Sequence, residues 1–480
     1  LSKYFVKNGR LYHGIVTNLN SSSYSSELDV GPKPSYLKED GVYYSYDGHY
    51  FYDYNNTQGY ITMLNDYRND TRENSVNKDS PYYNYYQYLP HRSITAYSDE
   101  ELNKAIDSLV KTSENRKNVE SKMRNLGVSL IENQNKHGIN ALLTLGIAAN
   151  ESAWGCSNIA QSKNNLFGHA AYDSDPNGNS NMYSTPEFSI YYHTSTFLSK
   201  GYCYPNDWRY NGTHLGDKAS GINVKYASDP YWGEKASARG YYIDTNRQDY
   251  GKYSIGILPN AKISFYNTTA STKKVIYTSD TSAGKLICDF PVTILGQETG
   301  ADGALYYKVV SDMALKEDRT ARSVDSIYNA DRDYVYVKAS DVTIVFQCTG
   351  DESVYMNAFN SLKLSNSDNC LSGFALGQDV SSVASKVSGL GTGVTATFAK
   401  ANGTQVTNGV VATGMRMTVS TDASTRTYSV VIRGDISGDG KLSALDYVKL
   451  RNYLDGQTSL SNAYLKSADT NKDGKVSAID

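Results

Sequence analysis

No stretch of this chain stays apolar for the ~18 residues that a membrane-spanning helix needs, so an integral helical span is excluded. Cationic excess is missing too. With 47 Lys and Arg against 50 Asp and Glu, the net charge is −3, and nothing is left over to neutralise a polyphosphate, so nucleic acid is not an expected partner. Cysteine is scarce: Cys156, Cys203, Cys288, Cys348 and Cys370 lie far apart with no CxxC pair, which argues against a zinc knuckle and a disulfide-dense scaffold. A Cys348–Cys370 bridge stays open, and the odd number leaves at least one thiol unmatched within the chain. There is no HExxH pattern, and His169, His193 and His214 fit no zinc spacing, so metal-dependent hydrolysis is not expected. The first residues, LSKYFVKNGR, hold no apolar signal core and do not start with Met, which leaves open that a leader was removed.

What is present points to several modules. A length of 480 residues suggests three or more domains at ~100–200 residues each. Tyr reaches 43, beside 11 Phe and 3 Trp. Such rings stack on sugar faces while their hydroxyls stay wet, although Tyr also simply fills β-rich exported proteins. All seven His lie between His13 and His214 and all three Trp between Trp154 and Trp232, so the chemistry is expected in the first half.

Residues 1–97 are rich in Tyr and Asn; Val42–Tyr54 alternates around an Asp-Gly turn and reads as a hairpin. PYYNYYQYLP, from Pro81 to Pro90, is too aromatic for a free linker, and this region is expected to pack on the next domain. At Ser98 the period becomes helical, with a Ser98/Glu101 capping box. A second helix is expected from Asn115 to His137, ending at Gly138. Asn140 then caps a third, very apolar helix, ALLTLGIAANES, ended by Gly155. Short strands follow over 256–346, and again over 347–433, in two small all-β modules.

From Gly434 the pattern changes. Asp435, Ser437, Asp439, Gly440, Lys441, Ser443 and Asp446 fill positions 1, 3, 5, 6, 7, 9 and 12 of an EF-hand-type loop. Asp469, Asn471, Asp473, Gly474, Lys475, Ser477 and Asp480 repeat it. Alternating short oxygen ligands with a Gly at the sharp turn suit a hard cation, so Ca2+ is expected as a structural ion. Position 12 carries Asp in place of Glu, and a helix, LSALDYVKLRNYLDG, follows the first loop only. In these features residues 434–480 resemble a dockerin, here truncated, and the resemblance implies a cohesin-like scaffold or surface protein as partner.

The third helix carries the expected chemistry. Ile147 and Ala148 lie one turn before Glu151 on its face, so the carboxyl leaves an apolar helix. Lost hydration disfavours its charged form, which keeps a glutamic acid protonated near neutrality and able to donate to a leaving oxygen. An exposed helix-end Glu is the plainer alternative. ANESAWGCSNIAQSKNNLFGHAAYDSDP (149–176) with NVKYASDPYWGEKA (223–236) resembles the endo-β-N-acetylglucosaminidases of glycoside hydrolase family 73, autolysin branch, over about 98–250. The resemblance implies an α+β lysozyme-like fold, peptidoglycan as substrate, Glu151 as general acid, and a role for Tyr226 in orienting the N-acetyl group or water. Trp154, Asn164, Asn165, Phe167, Gly168, Tyr231 and Trp232 are candidates for binding sugar rings and amides. The second catalytic group is open between Asp173, Asp175 and the substrate's own N-acetyl oxygen, with Asp175 the candidate among the catalytic residues. Glu187, after Thr185 and Pro186, reads as a helix-start residue and not as that group.

GALYYKVV and YVYVKASDV resemble strands of a bacterial Src-homology-type barrel, which implies a hold on cell-wall peptides. The expected organisation is a Tyr-rich region (1–97), a catalytic domain (98–255), that barrel (256–346), a small β module (347–433) and the calcium module (434–480). The expected protein is a secreted or wall-associated peptidoglycan hydrolase of a Gram-positive type bacterium. A lytic transglycosylase and a non-catalytic wall-binding or adhesive protein are the alternatives.

Overall fold

Alternating side chains near the start pair into a five-stranded sheet: β1 (Lys3–Lys7), β2 (Arg10–Ile15), β3 (Ser26–Pro32), β4 (Val42–Tyr44) and β5 (Tyr52–Asp53), in the order β3-β2-β1-β4-β5. The expected hairpin is β4 and β5, antiparallel with Tyr43 opposite Asp53. This computed structural model describes residues 3–16, 23–170, 180–245, 248–323, 327–346, 348, 359, 362–367, 370–389, 394–420, 425–472 and 474–480. Helix α1 (Asn56–Arg68) closes that region, and α2 (Tyr85–Tyr88) sends Tyr85 and Tyr86 into the core of the next one, with Leu89 and Tyr97. The aromatic segment is therefore a packed joint. Polar contacts reinforce it: Tyr4 donates to Glu234 at 3.3 Å, His13 Nδ1 lies 2.7 Å from the same carboxylate, and Arg10 donates to the Tyr241 hydroxyl at 2.8 Å.

The helical region holds α3 (Asp99–Leu109), α4 (Lys111–Lys117), α5 (Gly127–His137), α6 (Ala141–Glu151), α7 (Asn158–Lys163), α8 (Pro186–Tyr192), a π-helix (His193–Tyr202), α9 (Asn223–Tyr226) and α10 (Trp232–Ile243). The Ser98/Glu101 capping box starts α3, and Thr185 caps α8 with Glu187 in its first turn. Every residue of α6 from Ala141 to Ala149 is buried, and α6 packs closely on α10. Gly146 permits this approach, because a Cβ there would stand 3.0 Å from the Ala236 carbonyl.

One expected helix is broken. Between Asn118, left-handed at φ 53°, and Leu126 the chain leaves the helix that the period from Asn115 suggested. Tertiary hydrogen bonds account for the break. Ser121 Oγ donates to Trp154 O at 2.6 Å, Lys122 N donates to Gly155 O at 3.2 Å, and Arg124 bonds both oxygens of Glu114. The segment is drawn out to brace the turn behind Glu151.

Seven strands follow: β6 (Ser254–Ile257), β7 (Ser264–Tyr266), β8 (Val275–Thr278), β9 (Pro291–Thr299), β10 (Leu305–Val310), β11 (Tyr334–Lys338) and β12 (Thr343–Phe346), ordered β12-β6-β9-β10-β11-β7-β8. Arg92 staples this sheet to the helices. Its buried guanidinium donates to the carbonyls of Asp312, His137, Ser199 and Cys203.

The third sheet comprises β13 (Ser365–Ser367), β14 (Cys370–Ser372), β15 (Thr395–Ala399), β16 (Gln405–Val406), β17 (Arg416–Ser420) and β18 (Thr425–Val431), with β14 and β18 parallel. It is not all-β as expected. Helix α11 (Val380–Ser388) lies on it, capped by Asp379, with Val380, Val383 and Val387 buried. That i, i+3, i+7 spacing is helical, but flanking Ser and Gly masked it. Two helices complete the chain, α12 (Ala444–Leu454) and α13 (Asn462–Ala468). Among the described residues no helix is long and apolar enough to cross a membrane, and no disulfide joins Cys348 to Cys370.

Candidate active site

Glu151 is the last residue of α6, where an apolar rod meets a polar turn. After it the backbone turns left-handed at Ala153 (φ 50°) and Trp154 (φ 60°), conformations that cost of order 1–3 kcal/mol each and persist only under bracing. The bracing is visible: Trp154 N donates to Ala149 O at 3.0 Å, and Gly155 N to Ser152 Oγ at 2.7 Å.

Both donors that reach the Glu151 carboxyl meet the same oxygen. Trp232 Nε1 donates to Oε1 at 2.6 Å and Asn150 Nδ2 donates to it at 3.3 Å. Oε2 accepts no hydrogen bond among the described residues and is not one of the sealed, unpartnered atoms. It faces Gly168, where an added Cβ would stand only 3.2 Å away and where φ is +62°. Burial raises the Glu151 pKa above the ordinary glutamate value; the two N–H bonds oppose this, and the nearby Asp229 charge adds to the rise.

An aromatic wall supports the carboxyl. Tyr226 stacks on Trp232 with ring centres 4.5 Å apart and donates its hydroxyl to Phe167 O at 3.0 Å. Burial, with the Glu151 charge second, holds its phenol well above the ordinary value, so it stays neutral. Glu151, Tyr226, Gly168 and Trp232 are thus brought together. Trp154 stands half-buried on the turn, and Tyr231 is the residue just before α10, beside His13.

Other expected site residues sit elsewhere or are already engaged. Asn165 is buried with its oxygen accepting from Phe167 N and His169 N and its amide donating to His169 O and Asn181 O. Asn164 caps α7 and donates to Tyr183 O and Ser184 O. Phe167 is enclosed, stacked on His193 at 3.8 Å, and Trp232 is only 3% exposed, so neither ring offers a free face. His169 and His193 touch through ring nitrogens 2.9 Å apart, and burial pushes His169 down to about 3 and His193 well below its ordinary value. They are neutral core groups. Asp173 and Asp175 lie outside the described residues.

Two residues escaped the sequence reading. Asp229 accepts from Tyr231 N at 2.9 Å and pairs with Lys235 at 2.6 Å, ordering the start of α10 that carries Trp232. Its only signal was its place in the YASDP string. Trp208 is 71% exposed, with Lys225 Nζ 5.9 Å from its ring, and its neighbours lead back to the site: Tyr202 donates to Lys225 O and packs on Tyr226.

In the C-terminal loops the position-1 and position-12 carboxylates accept backbone N–H groups of their own loops. Asp435 accepts from Gly438 N, Asp439 N and Gly440 N, and Asp446 from Ser437 N and Ser443 N. Ser437 bridges the two through its hydroxyl to Asp435. In the second loop Asp480 accepts from Thr470 N, Asn471 N and Ser477 N, and Asp469 from Gly474 N. Lys441 follows the turn with its N–H on Asp439, Lys475 holds the equivalent place, and Asp473 lies outside the described residues. Among the described residues no three His, Cys, Asp or Glu side chains converge on one point. Two buried carboxylates joined through a serine nonetheless fit a hard cation that draws further oxygens from carbonyls and water.

Several known proteins are similar to parts of this chain. Two curated Streptococcus pneumoniae proteins, from two strains and provisionally named as endo-beta-N-acetylglucosaminidases, are 34% identical over 246 residues, 49% of this chain. The chain spans 29% and 27% of their lengths. Solved structures of Staphylococcus aureus autolysin E also match: a catalytic mutant with the disaccharide NAG-NAM (19% identity, 34% of this chain and 73% of that one, TM-score 0.27) and a muropeptide complex (18%, 34% and 73%, 0.26). Residues 127–242 match the family model described as mannosyl-glycoprotein endo-beta-N-acetylglucosaminidase, and residues 433–480 match the dockerin type I domain. The chain therefore carries a glucosaminidase-family domain, in which Glu151, Gly168, Tyr226 and Trp232 lie, and a dockerin type I domain at the end of the sequence.

Proposed function

We propose that this protein is a secreted or wall-associated hydrolase that cleaves the β-1,4 bond after N-acetylglucosamine in bacterial peptidoglycan, with Glu151 as general acid. The observation that carries this reading is a carboxyl in the matched domain whose proton affinity is raised by burial and whose Oε2 accepts no hydrogen bond among the described residues. Glu151 donates its proton to the glycosidic oxygen as the bond to the anomeric carbon breaks, and that bond's electron pair leaves with the oxygen. An oxocarbenium-like centre forms and takes a hydroxyl from water; the remaining water proton restores the acid through solvent. Tyr226, neutral and anchored on Phe167 O, orients the N-acetyl group or the water. The second group is an acid such as Asp175 or the substrate's own N-acetyl oxygen. The lysozyme-like architecture belongs to this reading.

Around the reacting bond, Trp154, Asn164, Asn165, Phe167, Gly168, Tyr231 and Trp232 shape the cleft, most of them by holding its walls. Trp208 offers the open aromatic face on which a sugar ring further along the strand stacks. The seven-stranded sheet, as a Src-homology-type module, holds wall peptides and raises the local concentration of substrate. Asp435, Ser437, Asp439, Lys441 (through its carbonyl) and Asp446, with Asp469, Asn471, Asp473, Lys475 (likewise) and Asp480, hold two Ca2+ ions that order the dockerin module for a cohesin-like partner.

Mass spectrometry of digested peptidoglycan tests the assignment. Reducing N-acetylglucosamine ends from the wild type, and about 10²–10⁴-fold fewer in the same time from Glu151→Gln, are expected. Anhydromuramic ends would transfer the protein to the lytic transglycosylases, and unchanged wall binding without any cleavage would make it an adhesin.

A further inference from the structure

We propose that Trp232 and Asn150 together dictate which oxygen of Glu151 holds the catalytic proton; this rests on the reading of Glu151 as general acid. A protonated carboxyl has one oxygen that donates and one that only accepts. Trp232 Nε1 and Asn150 Nδ2 are N–H donors, and both point at Oε1. Oε1 is thereby the accepting oxygen, and the proton belongs on Oε2. Oε2 in turn lies beside Gly168, where a Cβ would stand 3.2 Å away, so glycine leaves this oxygen clear of a side chain at that position. The proton therefore sits on the oxygen that no protein donor claims among the described residues.

The same clamp serves the second half of the proton transfer. When the Oε2–H bond breaks, its electron pair stays on Glu151 and the negative charge spreads to Oε1. There the indole N–H, 3% exposed and fixed by stacking on Tyr226, already points at the growing charge, so no reorganisation is required. Trp232 is thus a positioning residue and not a sugar platform. Asp229 serves it from behind: its carbonyl accepts from Trp232 N at 3.2 Å, and its carboxylate receives Tyr231 N.

Trp232→Phe keeps a flat ring against Tyr226 and removes the N–H together with the five-membered ring that bears it, and Asn150→Ala removes the other N–H without touching that ring. On purified peptidoglycan, kcat is expected to fall about tenfold with KM little changed, as alignment of a general acid is partly lost. The bond favours the ionised carboxyl, so without it the basic limb of the pH profile shifts to higher pH. Asn150→Ala is expected to move that limb the same way by a smaller amount, and it provides the test if Trp232→Phe does not fold. A folded Trp232→Phe with the wild-type pH limb, whether its kcat falls or not, overturns the inference, because a purely structural ring would leave the acid's ionisation alone. Glu151→Gln separates the two levels. If it is inactive while both other variants keep the wild-type limb, only this inference fails; if it keeps wild-type activity, the reading beneath fails as well.

Discussion

At the scale of single residues, proton donation near neutrality requires a carboxyl that resists ionisation without being shut away from substrate. Glu151 meets both conditions by asymmetry: one oxygen is held by N–H donors and the other opens toward Gly168. Space in front of Oε2 is the vulnerable quantity. Gly168→Ala would put a methyl group 3.2 Å from that oxygen and force an L-residue to φ +62°, so activity should drop about a hundredfold while the protein stays folded. Steady-state rates with a circular dichroism control check this. Trp208→Ala, by contrast, removes the exposed ring proposed above to stack on a sugar away from the reacting bond. KM should rise roughly fivefold with kcat unchanged, as expected for a lost stacking contact of about 1 kcal/mol; a fall in kcat with KM unchanged would contradict a stacking role.

At the scale of elements, the site depends on a segment that is not regular at all. Residues 118–126 brace the left-handed turn at Ala153 and Trp154, with Ser121 Oγ as the central link, donating to Trp154 O and accepting from Met123 N. Ser121→Ala takes a hydroxyl donor from the Trp154 carbonyl, leaves the buried Met123 N–H unpaired, and should cost about 1–3 kcal/mol, measured as a lowered denaturation midpoint. The strongest local signals were legible in the sequence: the Ser98 and Asn140 caps, the β4–β5 hairpin, the helix carrying Glu151 and the start of α8 at Thr185 all follow from short-range chemistry. What escaped depends on distant partners. The unbroken period from Asn115 could not announce that Trp154 O and Gly155 O, some thirty residues on, would claim the 121–122 backbone and hydroxyl. Likewise Trp232 read as a surface ring for sugars because nothing in YASDPYWGEK indicates that its N–H turns inward to Glu151. Asn165 read as a ligand for N-acetyl groups, yet its amide closes the loop around His169.

At the scale of the whole molecule, buried neutral histidines tie the helical region together and make it acid-sensitive. Burial lowers His91, His169 and His214 from 6.5 to about 3, and His137 to about 4. A group whose folded pKa is depressed contributes stability above its unfolded value, and that contribution is lost as pH falls through the folded one. Between pH 6.5 and about pH 5 His91, His169 and His214 should each cost about 2 kcal/mol, with the less enclosed His137 costing less, so urea midpoints should fall over that window. Stability that is flat there would contradict the buried, uncharged assignment. The calcium loops act on the opposite end of the chain. Limited proteolysis should spare residues 434–480 in calcium and cut them in chelator, with the glucosaminidase activity unaffected by either; identical cleavage patterns would show that the loops order themselves without an ion.

The most direct test of the central claim is the pH dependence of kcat/KM on purified glycan strands for the wild type and Glu151→Gln. The wild type should remain active above pH 4.5, the ordinary glutamate value, and lose activity on one ionisation at higher pH. Glu151→Gln should lower the rate by about 10²–10⁴ and abolish that limb. Wild-type rates in Glu151→Gln, or an unchanged basic limb in that variant, would contradict the account.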